Sequence, residues 1–126
     1  MIIDSSALVA ILREESDAEE FTTCVAQAES VNVSAGTWLE TSMVVGPSRF
    51  GDLDGYVVTN AIKVVAFDNT QARLAREAFA RYGKGSGSRA KLNFGDCMAY
   101  ALAKATNEPL LFKGDDFRHT DVVAAL

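Results

Sequence analysis

The sequence predicts an α/β domain, a three-layer α/β/α sandwich around a central, mostly parallel sheet. Short apolar runs fit for buried strands alternate with helical stretches along the whole chain, the pattern of a sheet covered on both faces. One of the helical stretches, Phe94 to Thr106, is apolar nearly all round, which implies burial between other elements.

Met1-Ile2-Ile3 reads as the first strand, and Asp4-Ser5-Ser6 supplies cap residues for a helix through Leu12. A second helix is predicted from Asp17 to Ala28, where Phe21, Val25 and Ala28 recur at helical spacing among polar residues. Val31-Asn32-Val33 is the next strand. Ser34 then caps a helix carrying Trp38, Leu39, Met43 and Val44, which Gly46-Pro47 interrupts. A weaker helical segment covers Leu53 to Ala61, and Lys63 to Phe67 is strand-like. Asn69 or Thr70 starts a clear amphipathic helix, with Ala72, Leu74, Ala75, Ala78 and Phe79 on one side, ending before Gly83. The Gly/Ser-rich stretch from Gly83 to Lys91 has no apolar period and is expected to be a mobile loop within the domain. After the buried helix, Pro109 to Phe112 forms a strand that runs into the turn Lys113-Gly114-Asp115-Asp116.

A length of 126 residues suits one domain with one core, residues 1–126. The 48% hydrophobic and 23% charged fractions are those of an ordinary globular protein, neither disordered nor fibrous. No apolar run approaches the roughly 20 residues of a membrane span. The chain's start lacks the basic and apolar regions of a secretory signal, so a cytoplasmic location is expected. Cys24 and Cys97 have no metal-ligand spacing, and Cys97 sits in an apolar run as a small hydrophobe would. A net charge of −5, from 12 Lys+Arg against 17 Asp+Glu, opposes binding of a polyanion by overall charge.

Carboxylates fall where chemistry gathers in open α/β sheets, beyond the carboxyl ends of the strands. Asp4 ends the first strand, and Glu40 lies in the first turns of the helix after the second. Asp96 opens the buried helix, and Asp115 and Asp116 follow the last strand. Each has an ordinary structural explanation: Asp4 can cap a helix, Thr37/Glu40 and Asn93/Asp96 have capping-box spacing, and Gly114-Asp115-Asp116 makes a polar turn. Together they weigh more, because clustered carboxylates repel and lose hydration unless protons or a cation compensate. An oxygen-only set selects Mg²⁺ or Mn²⁺ over zinc, and such a site suits phosphodiester hydrolysis.

Four segments carry a family resemblance: Met1-Ile-Ile-Asp-Ser-Ser-Ala-Leu8, Trp38-Leu-Glu40, Asn93-Phe-Gly-Asp-Cys97, and Leu110-Leu-Phe-Lys-Gly-Asp-Asp-Phe-Arg-His-Thr-Asp121. In this order and with these separations the chain resembles, over essentially its full length, the PIN-domain ribonucleases, specifically VapC-type toxins of VapBC toxin–antitoxin pairs. The resemblance implies a Mg²⁺- or Mn²⁺-dependent endoribonuclease, growth arrest through RNA cleavage, neutralisation by a cognate VapB-type antitoxin, and a homodimer formed through the early apolar helices. It matches Asp4, Glu40 and Asp96 to the family's acids, with Asp4 and Asp96 as leading metal ligands. Asp115 is preferred over Asp116 as the fourth. Ser6 matches a family Ser/Thr whose hydroxyl can bond a carboxylate or a bound water. A departure from the family pattern is the Gly46-Pro47-Ser48 break.

Arg81, Lys84, Arg89 and Lys91 gather positive charge around the Gly/Ser-rich stretch, a candidate contact for RNA phosphates. The stretch lacks the Gly-Lys-Ser/Thr order of a nucleotide loop and follows a helix, not a strand. His119 is the only histidine, which leaves a two-imidazole mechanism unsupported. Trp38, Phe67, Phe79, Phe94 and Tyr100 are expected in the core, with Tyr82 a looser candidate for stacking on a base. Two alternatives remain open on the residues alone. One is an acidic pocket that binds a basic protein segment without catalysis; the other is a metal-dependent nuclease or phosphatase acting on something other than RNA.

Overall fold

The computed structural model describes residues 1–126. Four short strands, β1 (Ile2–Ile3), β2 (Asn32–Ser34), β3 (Lys63–Val65) and β4 (Leu110–Leu111), form one parallel sheet in the order β3-β2-β1-β4. Six helices cover it: α1 (Ser5–Leu12), α2 (Ala18–Gln27), α3 (Ala35–Val45), α4 (Phe50–Thr59), α5 (Asn69–Tyr82) and α6 (Phe94–Thr106). No helix is long and apolar enough to cross a membrane.

Side-chain alternation along the strands separates the core into two faces. Ile2 and Leu110 point into a cluster with Ala78, Ala99, Leu102 and Phe117, the side of α5 and α6. Ile3 and Leu111, the next residues, point into a cluster with Leu8, Phe21, Val25 and Val33, the side of α1 and α2. All four strand residues are fully buried, and each such side chain contributes roughly 1.5–3 kcal/mol by leaving water. Removing β1 or β4 would open both faces at once.

The predicted elements all occur, with shifted ends. The strand-like run to Phe67 stops at Val65, and the weaker helix starts at Phe50 instead of Leu53. The Gly46-Pro47 break is real: Gly46 takes φ +86, ending α3, and Pro47–Arg49 form a 3-10 turn before α4.

The stretch from Gly83 to Lys91 is a loop, as expected, but a tethered one. It holds no helix or strand, yet Gly83 and Leu92 form a bridge, Lys84 N donates to Leu92 O at 2.9 Å, and Ala90 and Leu92 are buried. Ser86 donates to Gly83 O, and the hydroxyls of Ser86 and Ser88 accept from Ser88 N and Ala90 N. Small apolar anchors and serine caps hold the segment closed, a feature that Gly/Ser content by itself hides.

The expectation of a buried aromatic set is also corrected. Trp38 and Tyr100 pack on the core, but Phe79 and Phe94 are exposed, Phe94 by 82%. They line an open apolar cleft with Phe67 and Met98. Tyr82 is taken up by packing, with its ring 6.0 Å from that of Tyr100 and the Arg81 guanidinium 4.7 Å above it.

Candidate metal centre

Asp4 leaves the end of β1 and caps α1. Its Oδ2 accepts from Ser6 N at 3.0 Å and from the Ser6 hydroxyl at 2.6 Å. That is the ordinary role expected of it, but only half of the carboxylate performs it. Oδ1 is buried with no hydrogen-bond partner, and the residue is 2% exposed. Burial raises the Asp4 pKa; the Ser6 bonds work against this and the Glu40 charge adds to it. A buried carboxylate oxygen without a partner is costly, and a cation or a proton is what relieves it.

Glu40 comes from the first turns of α3. Its capping-box spacing with Thr37 is not used: Ser34 stands at the cap position without a side-chain bond, and the Thr37 hydroxyl is buried without a partner. The Glu40 carboxylate reaches instead across to α1, where Ser5 Oγ donates to Oε1 at 2.5 Å. It also lies over Gly95 on α6, so that a Cβ at Gly95 would overlap the Glu40 carboxyl group.

Asp96 does complete the capping box of α6: Asn93 N donates to Oδ2 and Asn93 Oδ1 accepts from Asp96 N, both at 2.9 Å. This favours the ionised carboxylate, yet its pKa is pushed up to about 7, by burial first and then by the charges of Asp4, Asp116 and Glu40. The capping role and membership of an acid cluster therefore coexist in one side chain.

The last strand delivers its acids unequally. Gly114 takes φ +93 after β4, a conformation open to glycine, and a 3-10 turn of Asp116–His119 follows. Asp116 is the one whose charge acts on Asp96. The Asp115 side chain is 86% exposed and faces Arg118 at 3.7 Å. Both acids lie on an exposed turn; the charge of Asp116 acting on Asp96 favours it over the expected Asp115 as the fourth member of the cluster.

As the side chains lie, no three Asp, Glu, His or Cys residues are grouped tightly enough to enclose an ion by themselves. Mg²⁺ is commonly held by one or two carboxylates with waters and substrate phosphates completing the shell, so a preformed cage is not required. The donor set fits such an ion: an unpartnered buried oxygen on Asp4, further oxygens on Asp96, Glu40 and Asp116, and no competing soft ligand. Cys97 is buried, with burial pushing its thiol up to about 11.

Ser6 links the cluster to β4, since its hydroxyl also accepts from Lys113 N at 3.0 Å. The Lys113 ammonium is drawn away to Glu15 at 2.7 Å and Asp17 at 3.2 Å. Lys84, Arg89 and Lys91 are exposed and unpaired, on the segment that feeds directly into α6. Arg81 is partly committed, 3.9 Å from Asp121. Two contributors were missed by sequence reasoning: Ser5, read only as a cap residue, and Gly95. A glycine in the first turn of a buried helix is costly unless something needs the space, and that signal was present.

The parallel sheet bears acids beyond the carboxyl ends of β1, β2 and β4, and the PIN domain family model matches residues 1–123. The chain is a member of the PIN-domain family. Over 98% of both chains it is 50% identical to a protein of Mycolicibacterium smegmatis named Ribonuclease VapC. It is 46% identical to Ribonuclease VapC30 of Mycobacterium tuberculosis over 97% of this chain and 95% of that one. Within the family it belongs with the VapC ribonucleases. The same fold occurs in the M. tuberculosis toxin VapC20, with a TM-score of 0.78 at 15% identity, covering 97% of this chain and 95% of that one. It occurs also in a chain of a toxin–antitoxin complex from Klebsiella pneumoniae, with a TM-score of 0.72 at 17% identity, covering 99% and 97%.

Proposed function

We propose that this chain is the toxin of a type II toxin–antitoxin pair, a Mg²⁺- or Mn²⁺-dependent endoribonuclease acting in the cytoplasm and neutralised by a cognate VapB-type antitoxin. The observation that carries the metal-dependent part is the buried, unpartnered Oδ1 of Asp4 beside Asp96. RNA as substrate and the antitoxin as partner are supported by membership among the VapC ribonucleases.

Asp4 and Asp96 would hold the ion, with Glu40 and Asp116 completing its surroundings directly or through water. A bound Mg²⁺ or Mn²⁺ supplies Lewis acidity to the scissile phosphate and lowers the pKa of water. The protein's own part is positional. Ser6 and the α1 backbone fix Asp4, the capping box fixes Asp96, and Lys84, Arg89 and Lys91 meet the RNA backbone where the global charge would repel it.

A homodimer, expected through the early apolar helices, also fits the apolar surface exposed on α3, α5 and α6. Leu8 and Leu12 of α1 and Phe21 and Val25 of α2 are consumed by the core, whereas Leu39, Met43 and Val44 of α3, Phe79 of α5 and Phe94 of α6 are open to solvent. A second copy covering that face would bring two acid clusters into one assembly.

The decisive experiment is digestion of RNA with Mn²⁺ by the wild type, Asp4→Asn and Asp96→Asn. Cleavage leaving 5′-phosphate and 3′-hydroxyl ends, lost in both folded variants, is the expected result. A 2′,3′-cyclic phosphate product, or unchanged cleavage by both variants, would overturn the assignment.

A further inference from the structure

We infer that Ser5 and Gly95 are positioning residues that together seat Glu40 in the metal centre. The inference rests on the metal-dependent reading and extends it to two residues that act through Glu40.

Gly95 is buried in the first turn of α6 with an ordinary helical backbone, so nothing in its conformation requires glycine. Alanine at such a position would normally favour the helix by up to about 1 kcal/mol. The three atoms nearest to a methyl group there are those of the Glu40 carboxyl group. Space for that carboxylate therefore explains the glycine. The packing is reciprocal: Gly36, one turn before Glu40 on α3, has Met98 of α6 where its own side chain would be. Each helix gives up a side chain to admit one from the other, and α3 and α6 close on each other at the site.

Ser5 supplies the directional element. Its hydroxyl donates to Glu40 Oε1 at 2.5 Å across 35 residues of sequence, from the residue next to Asp4. The bond takes up one oxygen and sets the direction of the other. Contact with Gly95 restrains where the carboxyl group lies, and the Ser5 bond restrains how it is turned. Both act through Glu40, as outer-shell partners act on the ligands they orient.

The carboxylate is the free end of a flexible side chain, so a methyl at Gly95 displaces it without breaking the fold. This separates a positioning role from a structural one. Gly95→Ala is expected to retain its circular dichroism spectrum and thermal midpoint in the absence of metal while binding Mn²⁺ about ten-fold more weakly, by titration calorimetry of the metal alone. Ser5→Ala should weaken Mn²⁺ by a similar factor, and Ser5→Thr, which keeps the hydroxyl, should restore binding to within about three-fold of the wild type. In a Glu40→Gln background Gly95→Ala should have no further effect on Mn²⁺ affinity, because the residue it acts through no longer carries the charge. Gly55→Ala, in open space on α4, is the control for glycine replacement in a helix. Wild-type Mn²⁺ affinity in Gly95→Ala and Ser5→Ala overturns this inference and leaves the metal-dependent reading intact. Full additivity with Glu40→Gln overturns the route through Glu40. Absence of Mn²⁺ binding by the wild type overturns both readings.

Discussion

Ser6 holds Asp4 by one oxygen only. Its backbone N–H and hydroxyl both donate to Oδ2, while Oδ1 stays buried and unpartnered. The same hydroxyl accepts from Lys113 N, so one serine ties the end of β1 to the end of β4. Ser6→Ala leaves the Lys113 N–H without that acceptor and frees Asp4 to turn. A loss of about 1–2 kcal/mol in denaturant unfolding is expected, with RNA cleavage reduced about ten- to a hundred-fold and largely kept in Ser6→Thr.

The raised carboxylates set a pH dependence. Asp96 titrates near 7 in the folded chain against 3.8 as its ordinary value, and Asp4 is raised as well. Between these values the folded protein holds protons that the unfolded chain has released, so metal-free stability falls as pH rises from about 4 to 7. Asp17 and Asp121 are lowered by their partners, and their contribution is lost only as pH falls below their ordinary value. Mn²⁺ favours the ionised cluster and reverses the trend. Thermal midpoints should show a larger Mn²⁺-induced rise at pH 8 than at pH 5.5, and equal rises would contradict this account.

Asp96→Asn removes a buried charge while an amide oxygen can still accept from Asn93 N. Without metal at pH 8 the variant should be more stable than the wild type by about 1–2 kcal/mol, and inactive. Urea unfolding alongside a cleavage assay checks both halves.

The two acids after β4 should separate cleanly. Asp116→Asn is expected to reduce Mn²⁺-dependent kcat/KM about ten-fold or more, whereas Asp115→Asn, exposed and facing Arg118, should stay within about two-fold. The reverse order would restore the preference drawn from the sequence.

Replacing Met43 or Phe94 by Asp places a charge on the exposed apolar face, 74% and 82% exposed respectively. Sedimentation should show the wild type as a dimer at micromolar concentration and the variants as monomers with unchanged far-ultraviolet dichroism. A monomeric wild type at micromolar concentration would overturn the homodimer.

Much of this protein is set by local sequence. Two-residue strands of isoleucine and leucine are readable because burial on both faces needs unbroken apolar runs, and helix starts are readable because Asp4 and Asn93 carry capping signals within three residues of the bonds they make. Those signals also placed Asp4 at the end of the first strand and Asp96 at the start of the buried helix. Tertiary structure decided the rest. Whether Asp115 or Asp116 faces the cluster turns on the path of the chain after Gly114, and the loss of hydration at Asp4 depends on segments far from it in sequence. The seat of Glu40 joins α1, α3 and α6, with Ser5 lying 35 residues from the carboxylate it holds. Local patterns encode contacts within a few residues along a helix or strand. Desolvation and close approach are properties of the assembled layers, so the places of Asp4, Glu40 and Asp96 and the caps that hold the two aspartates were legible in the sequence, and the seat of Glu40 was not.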